Sequence, residues 1–331
     1  MTTLKPSELA VNILFFSSII LVALVAQAWS LSTWNETLST SGSIKYNASA
    51  MWRGAGGSYL MHSSTDYMTG WSRYLPRIKY MGLNTYRLAF KFPWDTSNAT
   101  ADVLDLAKMD EIVDFLGANG VQSILDNHGD FGLTTTPYSQ MSDPNFIPSW
   151  QQLATHYKGN PYVAAFEIDN EPPASTDAVR QANAQGYYNT TLAIRNIDPD
   201  RICIWETPGY IPSFDTIQNL MLPNVVYTSH WGLWLGNLQW VITYGAEVVS
   251  HNIIDPLVAL RSKYNISIWF GECSPDLSIP YDPNNPSWQI IRQLLLRCEE
   301  NNIPWNIWNG VQTIDNDRLG VYQSMFPLKG D

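Results

Sequence analysis

Two glutamates stand where a carboxylate could do chemistry. Glu171 lies in AFEIDNEP at residues 165–172, where an apolar strand ends in an acid cluster closed by Asn-Glu-Pro, and Glu272 follows the largely apolar residues 266–270 with only Gly271 between. Two carboxyl groups can divide one reaction, because one gives up a proton while the other attacks carbon or activates water. The pair predicts an enzyme, provided that the fold brings the two residues together.

Both glutamates end predicted strands, and those strands must position them. Side chains alternate along a strand, so Glu171 shares a face with Glu167 and Asp169, and Glu272 shares a face with Phe270. We expect both faces to point inward, so that the two terminal glutamates converge.

Strand-like apolar runs alternate with longer amphipathic patterns along the chain. The predicted strands are residues 48–55, 84–90, 121–127, 163–169, 202–205, 225–230, 266–271 and 304–308. The predicted helices are residues 104–117, 150–157, 177–197, 208–221, 254–264 and 288–301. This alternation favours parallel βαβ units.

Eight such units predict a (β/α)8 TIM barrel, in which active-site groups lie at the C-terminal ends of the strands. A doubly wound open sheet is the structural alternative. It is disfavoured because residues 53–57, RGAGG, lack the spacing and the following helix of a dinucleotide-binding loop. We expect these glycines to form a turn at the barrel mouth.

Further segments that end predicted strands carry polar residues in a recognisable order. They are GLNTYRL at 82–88, ILDNH at 124–128, VYTSH at 226–230 and PWNIW at 304–308. Together with the two glutamate segments they resemble glycoside hydrolase family 5, which belongs to clan A, the cellulase-like retaining β-glycosidases. The resemblance spans roughly residues 50 to 310 and implies a barrel glycosidase.

The resemblance implies a role for each matching residue. Glu171 becomes the acid/base, Glu272 the nucleophile, Arg87 the brace of the nucleophile and Asn170 the group that binds the sugar's 2-hydroxyl. Retaining cleavage implies carboxyl groups about 5–5.5 Å apart. We expect Arg87 to keep Glu272 ionised, while burial and the nearby negative charge raise the pKa of Glu171.

The resemblance also implies that His128 and His230 are active-site histidines and that Trp308 is a platform beneath the sugar. One departure concerns the residue two positions after the second histidine. The family usually has a tyrosine there, hydrogen-bonded to the nucleophile, but this chain has Gly232. Tyr227 or a residue of a neighbouring loop could take its place.

Other acids and tryptophans have a structural and a functional interpretation. We interpret Glu167 and Asp169 as supports that position Arg87 rather than as reacting groups. Glu206 follows a predicted strand and could contact substrate. Three tryptophans beyond predicted strand ends could either form additional sugar subsites or pack structurally, and these are Trp94, Trp231 and Trp234.

Composition and charge exclude several classes of protein. The net charge of -11 argues against a nucleic-acid partner, which normally requires a basic patch. The reaction expected of two carboxylates needs no metal or other cofactor, and the sequence shows no close cluster of metal ligands around the histidines. Three cysteines are an odd number, and we interpret them as small buried groups.

The N-terminal residues predict export. Residues 13–26 form an apolar run that is short for a membrane span, and AQA at 26–28 has the pattern of a cleavage site. We interpret residues 1–28 as a signal peptide, with an anchor in residues 11–28 as the alternative, and residues 29–331 as the barrel domain. Five sequons fit a secreted glycoprotein, at Asn35, Asn47, Asn98, Asn189 and Asn265.

These observations predict a secreted, monomeric endo-β-glycosidase whose substrate is a β-linked polysaccharide. We expect a β-1,4-glucan, as for an endoglucanase or cellulase, with β-mannan as the alternative. A non-catalytic carbohydrate-binding barrel at the cell surface is an alternative of another class. The intact glutamate pair disfavours it, because a barrel that only binds sugar has no need of both carboxylates.

Overall fold

A computed structural model describes residues 51–57, 67–95, 101–129, 140–173, 176–206, 220–232, 238–274 and 282–308. The predicted signal or anchor segment, most of the helix predicted at 208–221, and Trp234 lie outside the described residues. Within them, no helix has both the length and the apolar character of a membrane span.

The described part of the chain alternates strands with helices. Its strands are β1 (Arg53–Gly57), β2 (Thr85–Lys91), β3 (Asp102–Val103), β4 (Gln122–Asn127), β5 (Val163–Glu167), β6 (Ile202–Glu206), β7 (Val225–Gly232), β8 (Ser267–Ser274) and β9 (Trp305–Ile307). Its α-helices are α1 (Tyr67–Tyr80), α2 (Leu106–Ala118), α3 (Phe146–His156), α4 (Asp177–Arg195), α5 (Leu238–Tyr244), α6 (Ala246–Tyr264) and α7 (Pro286–Glu300). A short 3-10 helix spans Gln140–Ser142.

The strands form a closed parallel barrel. The sheet runs β1-β9-β8-β7-β6-β5-β4-β2, and β1 pairs with β2 to close it. The two-residue strand β3 pairs with the end of β2 outside this circle. Eight parallel strands with helices between them confirm the predicted (β/α)8 TIM barrel and exclude the open doubly wound sheet.

The first strand differs from its prediction. It spans Arg53–Gly57, so the glycines predicted to form a turn at the barrel mouth lie within β1 instead. A Cβ on Gly54 would lie 2.6 Å from Asn306 Oδ1 and 2.6 Å from Thr85 Oγ1. Glycine is therefore needed here because polar side chains of β9 and β2 fill the space that a side chain on β1 would occupy.

We predict that Gly54→Ala lowers the free energy of unfolding by about 1–3 kcal/mol, because the added methyl overpacks the barrel interior. Gly70→Ala in α1 is the matched control, since its Cβ would meet only Tyr74 at an ordinary 3.6 Å. Alanine in a helix interior is expected to raise stability by about 0.5–1 kcal/mol. Chemical denaturation of both variants measures the difference, and equal stabilities would contradict this view of β1.

Two helices were not predicted, and two others, α3 and α6, begin at least four residues earlier than expected. Helix α1 contains Pro76 and Gly70, which interrupt the helical pattern of the sequence. Helix α5 has only seven residues, too few for a clear apolar period. Helix α6 begins at Ala246 and continues through Pro256, although the sequence predicted only its second half.

Apolar residues pack on both faces of the barrel wall. An outer core between strands and helices includes Phe166 and Ile168, and an inner cluster includes Ile124, Ala165 and Trp269. The polar residues that end the strands lie beyond this inner cluster, toward the C-terminal end of the barrel. All three cysteines are buried and unpaired, as predicted.

Candidate active site

Arg87 of β2 is the centre of the polar cluster inside the barrel. Its guanidinium is fully buried and forms a fork with Glu167, with Nε–Oε2 at 2.5 Å and Nη2–Oε1 at 3.0 Å. It also donates to a carboxylate oxygen of Glu272, to Asn170 Oδ1 at 2.7 Å, and lies 3.1 Å from Asp126 Oδ2. One cation therefore binds three carboxylates and the asparagine that precedes Glu171.

Glu272 points inward because β8 contains a bulge. Ser229 of β7 pairs with Phe270, but the next residue, His230, pairs with Glu272, so Gly271 is the extra residue. Phe270 packs in the outer core, so the expectation that it shares an inward face with Glu272 was wrong. The bulge changes the alternation and re-aims the glutamate. A Cβ on Gly271 would lie 2.9 Å from His230 Nε2, which leaves no room for another residue type.

Glu171 lies just beyond the end of β5 in a left-handed backbone conformation. Its φ is 44°, which is uncommon for a residue other than glycine. Its backbone N–H donates to a carboxylate oxygen of Glu206, at the end of β6. Its side chain is 27% exposed and is thus the most accessible carboxylate that contacts His230. This exposure suits a group that must reach a substrate.

His230 of β7 joins the two glutamates. Its Nδ1 lies 3.1 Å from an oxygen of Glu171, 3.3 Å from one of Glu206 and 3.7 Å from one of Glu272. A carboxylate oxygen of Glu171 and one of Glu272 lie within 4.8 Å of each other. Retaining glycosidases place their carboxyl groups about 5–5.5 Å apart, whereas inverting enzymes need about 6.5–9.5 Å. The spacing here suits direct attack by one carboxylate.

His128 and Trp308 form the adjoining wall. His128 Nδ1 lies 2.8 Å from Asp126 Oδ2, and its ring stacks on Trp308 with centroids 4.6 Å apart. The guanidinium carbon of Arg87 lies 5.2 Å from the Trp308 ring, and Nδ2 of Asn170 is 3.5 Å from His128 Nε2. The structure thus brings into one cluster the seven residues that the resemblance assigned to the site, which are Arg87, His128, Asn170, Glu171, His230, Glu272 and Trp308.

The comparisons with known proteins show the family of the chain. The family described as Cellulase (glycosyl hydrolase family 5) matches residues 46–312. The chain belongs to glycosyl hydrolase family 5. It is therefore a glycoside hydrolase, and its residues from the first strand to the last lie within the matched region.

Individual relatives extend the comparison for this family 5 enzyme. An endoglucanase from Paenibacillus polymyxa is 29% identical over 283 residues, covering 72% of this chain and 70% of the relative. A beta-xylosidase from Phanerodontia chrysosporium is 27% identical over 259 residues, covering 70% of this chain and 54% of the relative. A cellotetraose complex of an endocellulase from Pyrococcus horikoshii is 16% identical, with a TM-score of 0.62, covering 83% of this chain and 92% of the other. The last likeness shows the fold.

The electrostatics of the glycosidase site differ from the sequence expectation. Burial, together with the negative charge of neighbouring carboxylates, raises the pKa of Glu272 well above its usual value, although Arg87 acts to lower it. Burial also acts to raise the pKa of Glu171, but the hydrogen bond from His230 and nearby positive charge lower it overall. The reverse was expected for both glutamates. The reason is that Glu272 is buried among carboxylates, whereas Glu171 lies at the edge and receives a donor.

Burial lowers the pKa of His230 to about 4, so its ring is neutral near pH 7. A neutral imidazole with its proton on Nδ1 donates to Glu171. Nδ1 of His230 contacts the carboxylates of Glu171 and Glu272, at 3.1 and 3.7 Å.

The substitute suggested for the family's missing tyrosine is not in the site. Tyr227 packs in the outer core with its ring 5.8 Å from Trp205, so it faces the helices rather than the glutamates. Gly232 lies at the end of β7, paired with Ser274. Among the described residues, Arg87 donates a hydrogen bond to Glu272.

The supporting acids are partly those expected. Glu167 binds Arg87 as predicted, but Asp169 instead accepts a hydrogen bond from Asn127 at 3.2 Å. Asp126, to which the sequence motifs assigned no role, is the second carboxylate that supports Arg87. Its place two residues before His128 on a strand was the available signal, because residues two apart share a face.

The remaining aromatic and histidine candidates lie apart from the glutamates. Trp94 stacks on Phe92 and donates to Ser149, and Trp231 is buried in the outer core. Two further histidines lie at the surface, where His156 pairs with Asp110 and His251 with Asp255.

Carboxylates and His230 also have the spacing of a divalent cation site. Glu171, His230 and Glu272 each offer a ligand atom within 4.8 Å of the others. Arg87 already binds Glu272, however, and a guanidinium there repels a second cation. We predict that extended dialysis against a chelator leaves hydrolysis unchanged. A loss of activity that added divalent cation restores would contradict this prediction.

We predict that Arg87→Lys lowers kcat by about 10²-fold, because an ammonium group cannot hold Glu167 by a fork while also reaching Glu272 and Asn170. Arg87→Met should in addition lower the free energy of unfolding by about 3–5 kcal/mol, since it leaves buried carboxylates without a cation. Kinetics and chemical denaturation measure both effects.

Arg53→Lys is the matched control, because Arg53 makes a similar fork with Glu299 at the other end of the barrel. It should leave kcat within about twofold of wild type, as expected for a partly exposed ion pair. A kcat for Arg87→Lys equal to that of the control would show that the guanidinium does not hold the site.

Proposed function

We propose that this protein is a secreted retaining endo-β-1,4-glucanase, with Glu171 as acid/base and Glu272 as nucleophile. The observation that carries the proposal is the approach of the two carboxylates to within 4.8 Å, with Arg87 on one and His230 against both. This spacing admits a sugar ring carbon but leaves little room for an intervening water.

In the first step, Glu171 gives its proton to the glycosidic oxygen while an oxygen of Glu272 attacks the anomeric carbon. The C–O bond to the leaving sugar breaks, and a glycosyl ester forms on Glu272. Arg87 disperses the negative charge of the attacking carboxylate before reaction and fixes its orientation. The position of Glu171 beyond the strand end lets it approach the leaving oxygen from the side.

In the second step, Glu171 acts as a base. It takes a proton from water, the water oxygen attacks the anomeric carbon, and the ester bond to Glu272 breaks. Both carboxyl groups return to their starting protonation, and two inversions give net retention. Asn170, held by Arg87 at 2.7 Å, is placed to donate to the 2-hydroxyl through its amide nitrogen.

Trp308 supports the proposed sugar platform. It follows β9, its ring is held against His128, and the residue keeps 8% of its surface exposed. An indole face can pack against the C–H surface of a sugar. The stacked histidine fixes the plane of the ring.

The choice of substrate rests on the relatives. The proteins similar to this chain in sequence or in fold include an endoglucanase and an endocellulase, which supports β-1,4-glucan. The xylosidase relative makes a β-1,4-xylan the comparison to include.

The deciding experiment measures sugar release from carboxymethylcellulose, glucomannan, galactomannan, laminarin and xylan. Wild type is expected to act best on carboxymethylcellulose and to reduce its viscosity early, as internal cleavage requires. Glu171→Gln and Glu272→Gln serve as inactive controls. Preference for galactomannan or xylan would show that a mannan or a xylan is the substrate instead of β-1,4-glucan. Binding without turnover on all five would favour a non-catalytic carbohydrate-binding barrel.

The proposal of export rests on the apolar residues 13–26 and on the sequons. Asn189 and Asn265 are exposed in the structure, as a glycan acceptor must be. Expression of the full chain in eukaryotic secretory cells should give enzyme in the medium with residue 29 at its N-terminus. Retention of activity in the membrane fraction would favour the anchor in residues 11–28.

A further inference from the structure

A third carboxyl group lies against the acid/base and has no assigned part in the reaction. Glu206 ends β6 and is 7% exposed. One of its oxygens accepts the backbone N–H of Glu171, and the other lies 3.3 Å from His230 Nδ1. The hydroxyl of Tyr187 lies 3.3 Å from the backbone nitrogen of Glu206 and donates to the carbonyl of Asp169 at 2.7 Å. The end of β6 is thereby fastened to the segment that carries Glu171.

The backbone conformation of Glu171 explains what its contact with Glu206 does. A left-handed φ of 44° costs a residue with a Cβ free energy, and it persists where the surroundings hold it. The bond from the Glu171 N–H to Glu206 is such a constraint, and it acts on the residue that must place its carboxyl on the glycosidic oxygen. Both oxygens of Glu206 already have partners in the protein, the Glu171 N–H and His230, so this carboxylate supports the acid/base rather than binding sugar.

The protonation of Glu206 is tied to that of Glu171. Burial, followed by the charge of Glu171, raises the pKa of Glu206 well above its usual value. His230 Nδ1 lies within 3.3 Å of an oxygen on each of the two carboxyls. The charged and titratable groups around this pair are Arg87 from β2, Asp126 and His128 from the β4 segment, Glu167 from β5, Tyr187 from α4, His230 from β7 and Glu272 from β8.

We propose that Glu206 is a positioning residue for the acid/base, holding the left-handed peptide of Glu171 and sharing a proton with its carboxyl group. This inference rests on the proposed function, because it assigns Glu206 to the glycosidase step in which Glu171 gives up its proton. When two acids share protons, the second ionisation of the pair occurs at a higher pH than either acid would show alone. Glu206 thus keeps a proton available to Glu171 toward higher pH.

Two variants of equal length separate the two roles. Glu206→Gln keeps an oxygen for the Glu171 N–H but removes the ionisable group, whereas Glu206→Met removes both. On β-glucan, the alkaline limb of the kcat/KM profile should move to lower pH by about one unit in both variants. The methionine variant should in addition lose about tenfold in kcat at the optimum, because the peptide of Glu171 is no longer held.

An aryl β-cellobioside with a dinitrophenolate leaving group supplies the decisive comparison. Its leaving group needs no proton, so kcat/KM for this substrate should change by less than about twofold in either variant. A general structural defect would lower kcat/KM for both substrates alike. Wild-type turnover of this substrate also establishes the glycosidase activity, so failure of the proposed function would be seen before any variant is compared.

A readout independent of turnover is the pH dependence of unfolding. Where folding raises the pKa of an acid, the folded protein loses stability as the pH rises above the ordinary pKa of that acid, which is 4.5 for a glutamate. Glu206→Gln should therefore become more stable relative to wild type between pH 5 and 8. An unchanged alkaline limb, equal kcat for the two variants, or a stability difference that does not vary with pH would each overturn the inference.

Discussion

Replacing Glu272 with glutamine is expected to lower kcat on soluble β-glucan by a factor on the order of 10⁴ or more, because no glycosyl ester can form. The fold should survive. Arg87 keeps its fork with Glu167 and its contact with Asp126, and the change removes one carboxylate from a crowded buried group. Because burial raises the pKa of Glu272, a neutral glutamine should be tolerated or stabilising above pH 5.

A smaller side chain at the same position tests the role of Glu272 by chemistry. With Glu272→Ala, azide can enter the space left by the carboxylate and attack an activated β-cellobioside directly. The expected product is the α-glycosyl azide, identified by NMR, because a single displacement inverts the anomeric centre. Formation of the β-anomer would show that Glu272 is not the nucleophile.

Replacing Glu171 with alanine is expected to lower kcat on β-glucan by about 10²–10⁴-fold, the contribution of a positioned general acid. On a dinitrophenyl β-cellobioside the first step should remain fast, because the leaving group needs no proton. The glycosyl ester on Glu272 should then accumulate, since no base activates water. A burst of dinitrophenolate followed by slow turnover is the expected kinetic signature.

Azide also distinguishes the roles of the two glutamates in the Glu171→Ala variant. It needs no base, so it should attack the accumulated ester, restore turnover and give the β-glycosyl azide. Glu206→Gln is the informative control, because it alters the neighbouring carboxyl while leaving Glu171 in place. If azide failed to accelerate Glu171→Ala, or gave the same anomer as Glu272→Ala, the two roles would have to be reassigned.

The barrel and the order of its active-site segments could be predicted from local patterns. Each predicted strand has a counterpart in the structure, because apolar runs bounded by polar residues report burial directly. The first strand was misplaced because residues 53–57 contain three glycines, which locally favour a turn. Their reason for being in a strand lies in Thr85, Arg87 and Asn306, which are distant in sequence and fill the adjacent space.

The orientation of Glu272 could not be predicted correctly from the sequence for a different reason. Alternation along an uninterrupted strand placed it on the face of Phe270, which packs against the helices. The bulge at Gly271 reverses that assignment, and it arises where β7 and β8 pair around His230. A register shift between two strands has no signature within either strand alone.

Protonation depends most on tertiary structure. The sequence placed Arg87 beside Glu272, and the structure confirms that contact, but Arg87 is also shared with Glu167 and Asp126. Burial and the neighbouring carboxylates raise the pKa of Glu272 although Arg87 acts to lower it, whereas the donor from His230 lowers the pKa of Glu171 against the effect of burial. Such shifts depend on distances among groups from five strands.

The sequence by itself predicted the barrel, the two glutamates and most of the residues that surround them, because motifs at strand ends are local and barrel strands meet at one end. Only the tertiary structure decided that a bulge turns Glu272 inward, that Asp126 shares Arg87, and that Glu206 holds the peptide of Glu171. These features are contacts between strands, and the physical forces that set them act across space rather than along the chain.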